Sequence, residues 1–301
     1  MARTPEVCSE ILEHWDLTAV DYLGGGHNAH WLVETDRGSQ LVLRRYMADH
    51  FEDLQYEFSV MHRLFDLGWP VPTLVEKPIE RGRRTWCLLT RLPGSSIESD
   101  QSEQRQRGRL LAEFHESSRD LTDLGQRKGF TLPHDLLNDP QLQQALPKLE
   151  AAKPDAGYLI RWHVDRALNH QSTVDLDGAE TLVLHSDFNS WNILYQDGVL
   201  SGIVDFESTH LNYRVADFAL SWRGNDDEVI HGYEEVHKLS DLDWQLLVPT
   251  FWSWLLLGLA KWVGPATPEE LQQASLNWPM ANLQRRSPLF GDLSALPPNR
   301  L

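Results

Sequence analysis

Cysteine is scarce in this 301-residue chain: Cys8 and Cys87 are the only two. They lie far apart and outside any C-x-x-C pattern. That excludes a disulfide framework and a thiolate zinc site, and makes a reducing cytosol the expected compartment. Basic charge is also short. Against 44 acidic side chains stand 27 basic ones, a formal net charge of −17. Such a surface repels nucleic acid and anionic lipid, so neither is expected as a partner; it serves solubility or favours a cationic ligand. No long uninterrupted apolar run occurs. The most apolar stretch, Leu246 to Val263, is broken by Pro249, Thr250, Ser253 and Lys261, and reads as a buried helix rather than a membrane span. Met1 to Glu10 lacks the apolar centre of a signal peptide. Repeats and low-complexity tracts are missing, and 41% hydrophobic with 24% charged residues is the composition of a folded globular protein.

What is present changes character along the chain. Ala19 to Leu23, His30 to Thr35 and Gln40 to Tyr46 are short β-prone runs divided by turn signals at Gly24-Gly25-Gly26 and Asp36-Arg37-Gly38. Phe51 to Leu67 has helical period, with Leu54, Phe58, Met61, Leu64 and Phe65 on one face, and Gly68, Pro70 and Pro72 end it. A hairpin is expected from Thr73 to Lys77 and Thr85 to Arg91, and Leu92-Pro93-Gly94-Ser95-Ser96 reads as a hinge near residues 90–96. Helices follow at Gln101 to Glu116, burying Leu110, Leu111 and Phe114, and at Ala156 to Ala167. A small strand island is expected at Thr181 to Leu184, Ile193 to Gln196 and Leu200 to Asp205. Helices resume near Val215 and run to about Leu283. The expected organisation is α+β in two lobes: residues 1–91 as an antiparallel sheet with a helix, residues 92–301 mostly helical.

The most informative stretch runs from Leu182 to Tyr195. An apolar strand feeds a polar loop of the form H-x-D-x-x-x-x-N, with His185, Asp187 and Asn192, and another apolar strand follows. Asp205, in Ile203-Val204-Asp205-Phe206-Glu207, comes 13 residues after Asn192 and ends a further apolar strand. Strands returning past one another would gather Asp187, Asn192 and Asp205 at one end of a small sheet. Phosphoryl transfer needs little more than this: a carboxylate to orient the attacking hydroxyl, and oxygen ligands for Mg²⁺, which takes one or two carboxylates and keeps several waters. Asp187 fits the base, Asn192 and Asp205 the metal ligands, and His185 a scaffold for the loop. The plainer reading is that Asp187 and Asn192 cap a turn.

These residues resemble the aminoglycoside phosphotransferase and choline kinase family, distant relatives of protein kinases. His185-Ser186-Asp187 through Asn192 is similar to that family's Brenner-type loop, Asp205-Phe206-Glu207 to its D-[FW]-E segment, and Asn212-Tyr213-Arg214 with Asp217 to its N-Y-R-x-x-D stretch. The resemblance spans about Tyr22 to Trp262. It implies a protein-kinase-like fold, ATP as donor with GTP also open, Mg²⁺ as cofactor, and Asp217 as a brace for the catalytic loop. It further implies that Leu23-Gly24-Gly25-Gly26-His27-Asn28 is the nucleotide loop, with Gly25, Gly26 and Asn28 near the phosphates, although a plain hairpin turn has the same composition. Arg44, in Val42-Leu43-Arg44, stands where kinases place a lysine, with Glu57 on the next helix as its partner. Alternation puts Val42 and Arg44 on one face and Arg45 on the other, and arginine in place of lysine is a departure. Main-chain groups of Thr90 to Leu92 would hold the adenine.

The acceptor is the least legible part. Asp226-Asp227-Glu228 and Glu234-Glu235 offer carboxylates, Trp252 and Trp254 offer aromatic faces for a cationic group, and Glu207 is grouped with them. Solvated acids and core tryptophans explain the same residues. The expected activity is transfer of the ATP γ-phosphate to a hydroxyl of an aminoglycoside-, choline- or homoserine-like small molecule. A catalytically silent nucleotide-binding protein of the same fold is the alternative, and a metal-dependent hydrolase built on His185 and Asp187 is a weaker third.

Overall fold

The computed structural model describes residues 7–24, 28–46, 51–130, 137–221 and 227–286. In chain order, the first elements are helix α1 (Ser9–His14), strands β1 (Leu17–Gly24), β2 (Ala29–Thr35) and β3 (Gln40–Arg45), and helix α2 (Phe51–Asp66). Strands β4 (Ile79–Arg81) and β5 (Arg84–Thr90) precede helices α3 (Gln101–Ser118), α4 (Pro140–Ala152) and α5 (Pro154–Gln171). Next come β6 (Thr181–Leu184), β7 (Ile193–Gln196), β8 (Val199–Ile203) and β9 (His210–Tyr213). Helices α6 (Phe218–Ser221), α7 (Glu228–Val236), α8 (Asp241–Val263), α9 (Pro268–Gln273) and α10 (Asn277–Arg286) complete the described chain.

Two compact units result, one of residues 1–97 with 191–207, the other of 98–190 with 208–301. The first break therefore falls at 97/98 rather than 91/92, and the β7–β8 hairpin groups with the N-terminal sheet.

In the first unit β1-β2-β3-β5-β4 form an antiparallel sheet. Alternation sorts its side chains by face. Trp31, Val33, Leu43, Trp86 and Leu88 pack with Ile11 of α1 and Leu17 into one buried cluster. His30, Arg44 and Cys87 are register partners on the opposite face. Helix α2 buries Leu54, Glu57, Phe58, Val60, Met61 and Leu64, whereas Phe65 is 53% exposed. The expected stripe is thus rotated toward the side that carries Glu57. Gly68, at φ +90°, ends the helix, and Trp69 N–H returns to the Leu64 carbonyl at 3.0 Å. The expected strand Thr73 to Lys77 reduces to a single bridge from Leu74 to Leu89; β4 pairs with β5 instead, across the Gly82-Arg83 turn.

The expected single strand island does not form. β7 pairs with β8 in the first unit, and β6 pairs with β9 in the second, with Leu182 opposite Asn212. Its β9 partner, His-Leu-Asn-Tyr, is too short and polar to stand out as a strand. The second unit is otherwise helical. Asp100 caps α3 by accepting the Glu103 N–H at 2.8 Å, and Ser240 with Asp243 forms a capping box on α8. Leu111 and Phe114 are buried on α3, while Leu110 is half-buried. Helix α8 has 23 residues and is long and apolar enough to cross a membrane, yet 67% of its most apolar window is buried by the protein itself. It is the core helix of this unit, against α4, α5 and α6.

Candidate active site

Arg44 is the centre of the first unit's polar cluster. Strand β3 points it, with Val42, into a cavity of about 560 Å³ whose walls also include Asn28, Asn192, Asp205 and Glu207. Arg45 faces the other way, its guanidinium 5.4 Å from the Trp31 ring and 5.6 Å from that of Trp86. Arg44 Nη1 donates to Glu57 Oε1 at 3.0 Å, and Nη2 donates to Asp205 Oδ1 at 3.2 Å and Glu207 Oε2 at 3.0 Å. Glu57 is fully buried and also accepts from the Tyr46 hydroxyl at 2.9 Å. Burial alone would lower the Arg44 pKa, but Tyr46, Glu57 and Asp205 outweigh it and hold the guanidinium charged. Burial, assisted by the Arg44 charge, pushes His30 down to about 4. Burial likewise pushes the Cys87 thiol up to about 12.

Asn192 and Asp205 come together through the β7–β8 hairpin, where Val204 N–H donates to the Asn192 carbonyl at 2.9 Å. Asp205 has φ +70°, a left-handed backbone that an aspartate holds only when its surroundings enforce it. Thr90 and Leu92 line the same cavity, as do Trp191 and His30, which sequence reasoning did not single out. Gly94 fixes the following segment at φ +93°; a Cβ there would lie 2.4 Å from the Tyr195 carbonyl oxygen. The donor set of one carboxylate and one amide, all oxygen, suits Mg²⁺, and no cluster of three His, Cys, Asp or Glu occurs among the described residues.

Asp187 belongs to the second unit, where its loop is held from below. His185 is fully buried, and its Nδ1 accepts the Asp187 N–H at 3.2 Å. Asp217, also fully buried, accepts the His185 N–H at 3.0 Å and the Ser186 N–H at 2.7 Å. His115 of α3 bonds Asp217 Oδ2 through Nε2 at 3.0 Å and the Tyr233 hydroxyl through Nδ1 at 2.9 Å. Burial works to raise Asp217, but the His115 bond and charge, with His185 and its backbone N–H adding to them, hold it below the usual carboxylate range. Burial lowers His115, with the Asp217 bond opposing. Arg107, paired with Glu103 inside α3, donates to the Phe188 carbonyl at 3.4 Å. Ser186 has φ +67°, so the loop turns sharply just before Asp187, whose Oδ1 accepts from Asn189 Nδ2.

The expected acceptor residues that the structure describes each have their own surroundings. Trp252 is fully buried, with its ring 4.7 Å from that of His163, so it is core. Trp254 lines a separate apolar hollow of about 240 Å³ with Trp262 and Trp278. Glu234 is buried and accepts the Leu239 N–H, closing the turn after α7. Glu207 faces Arg44 and Asn28. Gly25, Gly26 and Asp226 lie outside the described residues.

An α+β chain with a five-stranded sheet, a buried Arg–Glu pair and an H-x-D-x-x-x-x-N loop defines the class of kinase-like phosphotransferases. A microcompartment-associated aminopropanol kinase matches with a TM-score of 0.73 at 18% identity, covering 94% of this chain and 98% of that one. An amicoumacin kinase in complex with AMP-PNP and Ca²⁺ matches with a TM-score of 0.61 at 14% identity, covering 95% and 91%. In sequence, a homoserine kinase of Xanthobacter autotrophicus is 26% identical over 237 residues, 72% of this chain and 70% of its own. Residues 18–244 match the model of the phosphotransferase enzyme family APH, and the chain belongs to that family. It is a phosphotransferase.

Proposed function

We propose that the protein transfers the γ-phosphate of ATP to the hydroxyl of a small amino alcohol of the homoserine or aminopropanol type. The observation that carries the donor half is Arg44, charged and braced by Glu57 on the wall of the 560 Å³ cavity. The acceptor half is supported by the names of the similar proteins, a homoserine kinase and an aminopropanol kinase, whose substrates share a hydroxyl and an amine. In this reading Arg44 and Asn28 bind phosphate oxygens, and main-chain groups from Thr90 to Leu92 take the adenine. Asn192 and Asp205 would hold Mg²⁺, which when bound neutralises phosphate charge. Asp187 accepts the hydrogen bond of the acceptor hydroxyl and takes its proton as that oxygen attacks the γ-phosphorus and ADP leaves. His185 holds the Asp187 N–H, and Asp217 holds the His185 and Ser186 N–H groups that precede it. Both cysteines are free thiols, in keeping with the proposed cytosolic location.

The test is ADP release with Mg-ATP across homoserine, aminopropanol, choline and aminoglycosides. Amino alcohols should give the highest kcat/KM, and Asp187→Ala should lower kcat about a thousandfold while nucleotide binding persists. Turnover confined to aminoglycosides would overturn the acceptor, and full activity in Asp187→Ala would overturn the mechanism.

A further inference from the structure

Arg44 is the cation assigned to nucleotide phosphate, yet both ends of its fork are already engaged. Glu57 takes Nη1, and Asp205 and Glu207 share Nη2. The Glu207 oxygen on Nη2 also accepts from Asn28 Nδ2. One carboxylate oxygen therefore sits where a guanidinium and an amide converge, which is a donor set suited to a phosphate oxygen. The carboxylates differ in freedom. The Glu57 side chain is 0% exposed and fixed beneath Arg44, whereas that of Glu207 is 28% exposed at the cavity wall. With three carboxylates around one guanidinium, the cluster carries net negative charge and repels a bare polyphosphate.

We propose that Glu207 is an internal stand-in for a phosphate oxygen: it occupies Arg44 and Asn28 until nucleotide and divalent cation together displace it. Glu207 thereby sets how strictly nucleotide binding depends on the cation. The proposal rests on the reading that this cavity takes the nucleotide. Exchanging a carboxylate for a phosphate on Arg44 preserves the number of hydrogen bonds, so the bonds themselves change little. What opposes the exchange is repulsion between the released carboxylate and the incoming phosphates, and a divalent cation relieves it. Glutamine at this position removes that repulsion with almost no change of shape. A carboxylate that merely braced Arg44 would give the reverse result, since its loss would loosen the fork and weaken binding.

The experiment is calorimetric titration of the full chain with AMP-PNP, in EDTA and in Mg²⁺, for wild type, Glu207→Gln and Glu207→Asp. In EDTA, Glu207→Gln should bind AMP-PNP about tenfold more tightly than wild type, narrowing the gap between the two buffers. Glu207→Asp keeps the charge but withdraws it by one methylene, and should fall between the two. A folded Glu207→Gln that binds metal-free AMP-PNP no more tightly than wild type overturns the proposal. If Glu207→Gln does not fold, Glu207→Asp decides: tighter metal-free binding than wild type supports the stand-in, and equal or weaker binding overturns it. Wild type that binds AMP-PNP in Mg²⁺ while the variants fail these expectations leaves the nucleotide reading standing. Wild type that binds in neither buffer overturns the nucleotide reading and this proposal with it.

Discussion

Position 44 carries arginine where the resembled family commonly has lysine, and its neighbours are fitted to a fork rather than a point charge. Its guanidinium lies 4.6 Å from the Tyr46 ring centroid, and the Tyr46 hydroxyl in turn bonds Glu57. A lysine keeps the charge but cannot reach Glu57 and the cavity side at once. Arg44→Lys should therefore raise the KM for ATP about tenfold with a smaller change in kcat, as steady-state kinetics would read. Asp217 acts at one remove, through two backbone N–H groups of the catalytic loop. Asp217→Asn should lower kcat by about a hundredfold and leave the KM for ATP nearly unchanged. The pairing of Arg44 with Glu57 was legible through the family resemblance, and strand alternation, a local property, set Arg44 apart from Arg45. His115 was not: 102 positions separate it from Asp217, and on α3 it looks like any helix histidine. Glu207 was seen but assigned to the acceptor, because nothing in the sequence tells which of several acids will meet Arg44.

At the level of elements, the first three strands and α2 could be read because their turns carry glycine, and glycine marks turns by its freedom at positive φ. The strand β9 and the short β4 could not, because pairing partners rather than intrinsic preference make them strands. The tryptophans of α8 stayed open between core and ligand for a related reason: helical period locates a face, but not which of the two that face meets. Helices α3 and α7 cross with backbones in contact. A Cβ on Gly108 would lie 2.0 Å from the Val229 carbonyl oxygen, and one on Gly232 would lie 2.0 Å from that of Arg105. Gly108→Ala should therefore destabilise the chain by about 3 kcal/mol, measured by urea unfolding, because the collision is with backbone and only separation of the helices relieves it.

For the whole molecule, pH is the informative variable. Burial holds six described histidines below their ordinary range: His30, His115, His163, His170, His210 and His237. A histidine held neutral in the fold binds its proton more readily once unfolded. Its stabilising effect is complete above the ordinary value of 6.5 and is lost as pH falls toward the folded value, which for His30 is about 4. Thermal melts should accordingly shift downward from pH 7.5 to pH 5 (both within about 2 units of that ordinary value), and His30→Gln should reduce the slope. The crossing of α3 with α7 also constrains how this chain can vary. An alanine at Gly108 cannot be offset by a smaller side chain opposite, because the Val229 carbonyl it strikes is a group every residue possesses. Selection for restored function after that substitution should return true reversions to glycine, or changes that re-route a helix. It should not return a compensating side-chain exchange at the crossing itself.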